Sequence, residues 1–585
     1  MNSHETYLYW LCNEYFDEET RAELIKIKNK PKEIEDRFFK DLEFGTGGLR
    51  GLIGAGINRI NIYTVRKASQ GLANYLLKSG YEAKTRGIVI AYDSRYKSRE
   101  FALEAAKVFA GNGIKTYLFD EPKPTPLLAF AVTYLNAIAG VVITASHNPK
   151  EYNGYKVYGE DGGQLTPEIT SQIQEEIKKI TDITKINLAE KDTAESLGLM
   201  KTAGSDLEDA YMEKLKSFSF CNNEITDAAA SLKIVYTPLH GTGNKPVRRI
   251  LHEMGYKNVL TVKNQEYPDA NFANAKPAPN PEEFKVYKYA DRLAKKENAD
   301  LIIATDPDCD RVGVKAKKSK NRYVFLSGNQ VGVLLMEYIL SRKLESSRLP
   351  QNAFIVKTIV TTEMARAIAE NYDVELIDVL TGFKFIGEKI REMAKSGNKN
   401  FILGIEDSCG YLTGDYILDK DGVLASMLIA EMAAYYKQKG KTLYDALQEL
   451  YEKYGFYLGE MISYTFKGKE GVIKIKQGMS NIRNNLCEAF DNITYGNTEI
   501  SAVRDYLKQQ RYDLKAKNKS ILNLPKSDVI YYELSDGSWF CIRPSGTEPK
   551  VKIYLEVFDR NRELARKKLR KLKKKVISKI KKIFR

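Results

Sequence analysis

Two short strings hold the residue types of a phosphoryl-transfer centre: Thr144-Ala145-Ser146-His147-Asn148-Pro149 and Asp306-Pro307-Asp308-Cys309-Asp310-Arg311. A serine hydroxyl is a weak nucleophile at neutral pH unless a metal or base activates it, and a phosphate carried on it needs a cation to offset its charge. Asp306, Asp308 and Asp310 alternate just after the strand-like run Leu301-Ile302-Ile303-Ala304, so their carboxylates can converge on one hard cation at a sheet edge. An EF-hand does not fit, because its sixth position needs Gly and here is Arg311, and its twelfth needs Glu and here is Lys317. Arg311 instead supplies a phosphate partner beside the metal. The plain alternative for the triplet is a solvated acidic turn.

Ser146 follows Val141-Val142-Ile143, and a sharp exit from a strand there is expected to expose its hydroxyl where His147 and Asn148 can contact a phosphate. The Gly-x-Ser-x-Gly elbow of a Ser-His-Asp hydrolase is absent, with Thr144 and Asn148 at its glycine positions. An Asx-type turn without chemistry would have the same short string. Arg543-Pro544-Ser545-Gly546-Thr547-Glu548-Pro549-Lys550 combines a guanidinium, two hydroxyls and a glycine backbone, the ingredients of a phosphate clamp or of a simple surface turn. Glu406, Asp407 and Ser408 can accept from and donate to sugar hydroxyls, or cap a helix start. Two nucleotide motifs fail: Gly45-Thr46-Gly47-Gly48-Leu49-Arg50 has Arg50 where a dinucleotide loop needs its third glycine, and Gly440-Lys441-Thr442 has Tyr435 where a Walker motif needs its first.

The elements that must position these residues are legible as alternation. Five apolar runs lead directly into polar loops, at 87–94, 139–148, 232–243, 301–311 and 401–410, with helix-like segments such as 98–110 and 364–370 between them. Strands alternating with helices imply parallel α/β layers whose ligands gather beyond the carboxyl ends of the strands. Segment 190–209 reads as polar and strand-free, 271–283 as a Pro- and Asn-rich loop, and 315–321 as a charged turn. After about Tyr451 the texture changes to short strands and helices. The reading is three similar α/β mixed-sheet units, 1–205, 206–322 and 323–452, followed by a smaller α+β unit, 453–585.

At 585 residues, with 43% hydrophobic and 29% charged, the chain is expected to fold as several globular domains. It has no apolar run long enough to cross a bilayer and no apolar signal core at its start, so no transmembrane segment and a cytoplasmic location are expected. Six scattered cysteines without CxxC spacing read as reduced thiols, Cys309 and Cys409 as small filler residues. The net charge of +15 is concentrated: residues 566–585 hold twelve Lys or Arg and no acid, and the rest is nearly neutral. Leu569, Leu572, Val576, Ile580 and Ile583 make one apolar stripe there, expected to pack on its own domain with a solvated cationic face rather than bind nucleic acid or membrane.

With Gly45–Gly51, Ser146 with the following Glu151-Tyr152-Asn153-Gly154-Tyr155-Lys156, the Asp306 loop, Thr381-Gly382-Phe383-Lys384, the Glu406 loop and the Arg543 loop in this order, the chain closely resembles the α-D-phosphohexomutase superfamily over nearly its full length. The resemblance is to its phosphoglucomutase branch, which also contains phosphopentomutases. It implies four domains around a central cleft, a phosphate on Ser146, and one Mg2+ per chain held by Ser146 with Asp306, Asp308 and Asp310. Arg50, His147, Lys156 and Lys384 are then the acid-base and electrostatic candidates. Glu406 and Ser408 would hold the sugar, and Arg311, Arg543, Ser545, Gly546 and Thr547 would bind phosphate. The implied activity interconverts α-D-glucose 1-phosphate and glucose 6-phosphate, with glucose 1,6-bisphosphate as intermediate and primer. Mannose, pentose or deoxypentose phosphates are alternative substrates, and a non-catalytic phosphosugar-binding protein is the alternative outside enzymes. Asp407 departs from the family's usual glutamate, and Cys409 and Tyr411 occupy the loop's variable edge, which bears on sugar preference. The oligomeric state is not legible.

Overall fold

The computed structural model describes residues 1–44, 48–220, 225–466, 468–486, 488–490, 493, 498–545 and 550–584. Four sheets follow one another along the chain. The first comprises β1 (Leu49–Leu52), β2 (Ile88–Tyr92), β3 (Thr116–Leu118), β4 (Ala139–Ile143), β5 (Tyr152–Gly159) and β6 (Met200–Thr202), in the order β1-β5-β4-β2-β3-β6. The second comprises β7 (Lys233–Thr237), β8 (Asn258–Thr261), β9 (Leu301–Thr305), β10 (Val312–Ser319) and β11 (Arg322–Leu326), in the order β11-β10-β9-β7-β8. The third comprises β12 (Ala353–Thr358), β13 (Glu375–Val379), β14 (Asn400–Glu406) and β15 (Gly410–Leu412), in the order β13-β12-β14-β15. Each has a parallel centre and antiparallel strands at one edge. The central strands β2, β4 and β9 are apolar and wholly buried because helices cover both faces of a parallel sheet.

The five apolar runs are β2, β4, β7, β9 and β14, and the polar strings that follow them leave the carboxyl ends of those strands. Two segments differ from expectation. Segment 190–209 contains β6, whose three residues include one buried side chain, too short a run for periodicity to register. Most of 315–321 belongs to β10, where buried Val314 and Ala316 alternate with lysines, and only the connection to β11 is a turn, with Asn321 left-handed at φ 61°.

The fourth sheet is antiparallel, built from β16 (Phe456–Thr465), β17 (Ile500–Asp505), β18 (Gln510–Asp513), β19 (Asn518–Ile521), β20 (Ile530–Leu534), β21 (Trp539–Pro544) and β22 (Lys550–Asp559), in the order β16-β22-β21-β20-β17-β18-β19. Alternation gives it two dry faces. Tyr531, Trp539, Cys541 and Tyr554 pack on Ile359, Val360 and Leu380 of the third unit. Ile530, Tyr532, Phe540, Ile542 and Ile553 pack under the helices Gly468–Asn484 and Arg562–Ile583. At the other end of the chain, the helices Ser3–Cys12, Glu18–Ile25 and Pro31–Phe38 close on an aromatic cluster with Tyr63. There Arg37 donates to the Ala55 carbonyl (3.1 Å) while Glu23 accepts the Ala55 N–H (3.0 Å), gripping the loop that follows the strand of Arg50.

The basic C-terminal helix packs on its own unit as expected: Leu572, Val576 and Ile580 are buried, and Asn561 caps its start by accepting from the N–H groups of Glu563 and Leu564. Leu572→Ala should therefore cost about 2–5 kcal/mol in unfolding of the fourth unit. Calorimetry of the full chain checks this, and an unshifted transition would mean that the helix is not docked.

Candidate active site

The site is assembled from loop ends. Ser146 leaves β4 with φ 51°, and its N–H donates to Thr144 Oγ1 (2.8 Å). Thr144 Oγ1 donates in turn to Asp93 (2.7 Å), and Asp93 pairs with Arg95 (3.1 Å), both side chains sealed from solvent. The Arg95 guanidinium donates to the carbonyls of Asn148 (2.7 Å), Pro149 (2.9 Å), Tyr152 (3.2 Å) and Ser146, so a single buried cation shapes the serine loop. Phe272, from loop 271–283 of the second unit, lies over it at 5.1 Å.

The aspartate loop leaves β9 and curls around its first member: Asp306 Oδ1 accepts from the N–H groups of Asp310 (3.1 Å) and Arg311 (3.0 Å). Ser146 Oγ donates to Asp306 Oδ2 at 2.7 Å, with His147 Nδ1 at 3.2 Å and Arg311 Nη1 at 3.4 Å from the same oxygen. Ser146 is thus buried at 2% exposure, contrary to the exposed hydroxyl expected, because the second unit closes over the strand end. Asn148 accepts from Arg50 (3.3 Å).

Charge balance shows what the triplet can hold. Carboxylate oxygens of Asp306, Asp308 and Asp310 lie within 4.8 Å of one another. Lys156 on β5 donates to Asp308 (2.7 Å) and Asp310 (3.2 Å), and Lys420 reaches Asp310 (3.2 Å) with Glu406 at 3.8 Å. Burial opposes the charge of both lysines, yet the surrounding carboxylates hold both above the usual lysine value. Burial, reinforced by its two neighbours, pushes Asp306 well above the carboxylate range. Among the described residues, Asp308 Oδ1 and Asp310 Oδ1 are buried without a hydrogen-bond partner. Unspent hard oxygens converging beside a serine hydroxyl fit a small divalent cation.

Lys384 lies near Arg543, and Arg543 also lies near Asp407 of the Glu406–Ser408 loop. Lys384 opens the helix Phe383–Ser396, and Glu406 and Ser408 lie at the hairpin turn from β14 to β15, which removes the helix-cap reading. Cys409, in that turn, and Tyr411, on β15, are both buried, the tyrosine donating to the Gly328 carbonyl (2.8 Å). Arg543 lies near the end of β21 and Ser545 just past it, where the Ser545 N–H donates to the Lys550 carbonyl (2.8 Å); Gly546 and Thr547 lie outside the described residues. Lys384 Nζ has no hydrogen-bond partner among the described residues, and burial pushes its pKa down to about 8, with Arg543 adding to the effect. Burial and Asp407 push Glu282 of loop 271–283 up to about 7.

The loops interlock through backbone: the Val312 N–H donates to the Cys409 carbonyl (3.0 Å) and the Gly422 N–H to the Cys309 carbonyl (3.1 Å). A Cβ on Gly422 would meet that carbonyl at 2.5 Å. Sequence reading missed Arg95, Lys420 and Asp419, which accepts from Tyr158 (2.8 Å) and Gln164 (2.7 Å). Arg95 carried the same signal as Ser146, a polar string just past an apolar strand; Asp419-Lys420-Asp421 had no such strand before it. Arg95→Met, which strands Asp93 in the interior, should cost about 3–5 kcal/mol. Thermal unfolding reads the loss, and Arg95→Lys, which keeps the charge but not the carbonyl bonds, should recover only part of it.

Four family models match the chain in order: phosphoglucomutase/phosphomannomutase alpha/beta/alpha domain I at 41–184, domain II at 209–319, domain III at 327–454 and the C-terminal domain at 497–569. A phosphoglucomutase of Staphylococcus aureus strain MSSA476 is 36% identical over 552 residues, covering 94% of this chain and 96% of its own. One from Staphylococcus haemolyticus is 36% identical over 524 residues, covering 89% and 91%. Among solved structures, the open form of parafusin, a phosphoglucomutase from Paramecium, superposes with a TM-score of 0.65 at 18% identity, covering 93% of this chain and 95% of its own. A phosphoglucomutase/phosphomannomutase family protein from Burkholderia thailandensis gives 0.65 at 17% identity, covering 92% and 97%. These two show the fold. With all four domain models present in order and the relatives matched nearly end to end, the chain belongs to the phosphoglucomutase/phosphomannomutase family.

Proposed function

We propose that the protein is a phosphoglucomutase, an isomerase that interconverts α-D-glucose 1-phosphate and glucose 6-phosphate through phospho-Ser146. The observation that carries this reading is the 2.7 Å contact between Ser146 Oγ and Asp306 inside the buried carboxylate triplet. The staphylococcal phosphoglucomutases favour glucose as the sugar. A cytoplasmic location and unit boundaries after residues 205, 322 and 452 belong to the same reading.

In the cycle, the bond from phosphorus to Ser146 Oγ breaks as a sugar hydroxyl oxygen bonds to that phosphorus, the hydroxyl proton passing by way of an acid-base side chain of the site to Ser146 Oγ, giving glucose 1,6-bisphosphate and the free Ser146 hydroxyl. The bisphosphate turns end for end, and its other phosphoryl group passes back to Ser146 Oγ. Glu406 and Ser408 hold sugar hydroxyls, while Arg543, Ser545, Gly546 and Thr547 grip whichever phosphate is not reacting. A clamp that reads phosphate geometry rather than one carbon accepts both orientations. Arg311 and His147 flank the serine oxygen as phosphate partners, Arg50 beside Asn148 is the further candidate, and Lys156 holds Asp308 and Asp310 in place and favours their charged forms. Asp306, Asp308 and Asp310, with the phosphate on Ser146, would hold one Mg2+, which would supply charge neutralisation for the transferring group. Glucose 1,6-bisphosphate restores a serine that has lost its phosphate.

Ser146→Ala should lower glucose 1-phosphate turnover on the order of 10⁴-fold or more and abolish a one-phosphate gain in intact mass after incubation with the bisphosphate. Retained turnover rejects the serine assignment. Parallel assays with mannose, ribose and deoxyribose 1-phosphates test the sugar, and a preference for any of these over glucose 1-phosphate overturns it. Lys384 yields a pH prediction. Its pKa near 8 means that the free enzyme loses this cation as pH rises through about 8, so kcat/KM for the anionic substrate should fall there. Lys384→Met should remove that limb and Lys384→Arg should carry it to higher pH; an unchanged limb in both variants excludes Lys384 as its source.

A further inference from the structure

The helix Arg562–Ile583 carries twelve basic residues and one acid. Those on its flanks are used within the fourth unit: Lys568 pairs with Asp536 (2.9 Å) and Asp559 (3.0 Å), and Lys573 with Glu460. Leu572, Val576 and Ile580 point into the core, so at about 100° per residue Lys567, Arg570, Lys571, Lys574 and Lys581 stand on the opposite side. All five are exposed, and among the described residues none is ion-paired. They form a straight cationic row about 21 Å long at 1.5 Å rise per residue.

The neighbouring helix Gly468–Asn484 buries Ile475, Met479 and Ile482 in the same core. Its outward side therefore shares the direction of the row, and it presents Ile473 at 46% exposure beside exposed Lys474 and Lys476. Across the sheet, the opposite face is closed by the third unit. This layer is thus the outer wall of the fourth unit, turned away from the sugar loop.

We propose that this face docks the protein reversibly on an anionic lipid surface, a property beyond sugar-phosphate chemistry. A line of lysines on a convex helix, with no groove, matches a plane of negative headgroups, and four to eight cations on one helix suffice for such adhesion. Exposed aliphatic side chains beside lysines suit contact at headgroup depth, whereas the two helices expose no aromatic ring among their described residues on which nucleic-acid bases could stack. The apolar stripe of the basic helix is spent on its own core, so the contact is electrostatic and does not insert.

The test is sedimentation of the full chain with vesicles of phosphatidylserine in phosphatidylcholine, and of phosphatidylcholine alone, at low and high salt. The expected result is salt-sensitive binding to the anionic vesicles only. Combining Lys567→Glu, Lys571→Glu and Lys574→Glu should weaken that binding roughly 10²-fold or more, with mutase activity and thermal unfolding unchanged as controls on the fold. Equal binding to neutral vesicles, undiminished binding of the charge-reversed variant, or capture of an RNA oligonucleotide without vesicle binding would each overturn the proposal. Any of these leaves the assignment of Ser146 standing.

Discussion

Three carboxylates of one short loop are buried within 4.8 Å of each other, and the rest of the molecule is organised around making that tolerable. At the effective dielectric of a protein interior, each pair of charges at this distance repels by about 3–4 kcal/mol. Asp306 is relieved by two backbone N–H groups of its own loop. Asp308 and Asp310 are relieved by Lys156 from the first sheet, and Asp310 also by Lys420 from the third unit. The compensating cations therefore come from different units. Separating those units would leave unpaired buried charge, so the electrostatics of the site and the assembly of the units are one problem with one solution.

Backbone geometry reinforces the same junction. Cys309 and Cys409 occupy equivalent points in the loops after β9 and β14, both left-handed, with φ of 54° and 61°. Each lends its carbonyl to the other unit, one to Gly422 and one to Val312. A small side chain suits a buried residue held in that conformation, which gives the two cysteines a structural role and leaves their thiols inert; burial pushes both well above the usual thiol value. The fourth unit joins differently, through the stacked rings of Tyr531 and Trp539 and their apolar neighbours. The proposed clamp is thus mounted on an apolar contact, while the proposed reacting centre is welded by charge.

Legibility in the sequence followed the same division. Wherever a buried parallel strand ends in a polar loop, the pattern of β4 into Ser146 or β9 into Asp306 is local, and composition reveals both element and site. The three-sheet layout and the stripe of the last helix were visible for that reason. β6 and the β10 hairpin were not, since short or edge strands are set by their neighbours rather than by their own periodicity. Arg95 and Lys420 were missed because their work lies in distant partners: carbonyls some fifty residues on, and carboxylates from another unit. Burial of Ser146 was misread for the same reason, because the second unit that covers it is invisible from the first unit's sequence.

The two groups of lysines now separate by what they can do with a proton. Lys156 and Lys420 are clasped by carboxylates that hold their protons more tightly than in free lysine, so within the proposed cycle they act as fixed positive charges. Lys384 has the opposite surroundings: it is buried and near Arg543, with no hydrogen-bond partner among the described residues, and its proton is held near pH 8. A group that gives and retrieves a proton works best with a pKa close to the working pH. The same burial that destabilises the Lys384 cation in the free protein also makes it the more responsive to an arriving anion, whose charge would raise that pKa and fill the vacant donor positions. Of the two lysines among the acid-base candidates, Lys384 is the one whose protonation can follow the substrate, whereas Lys156 is committed to the triplet before any substrate arrives.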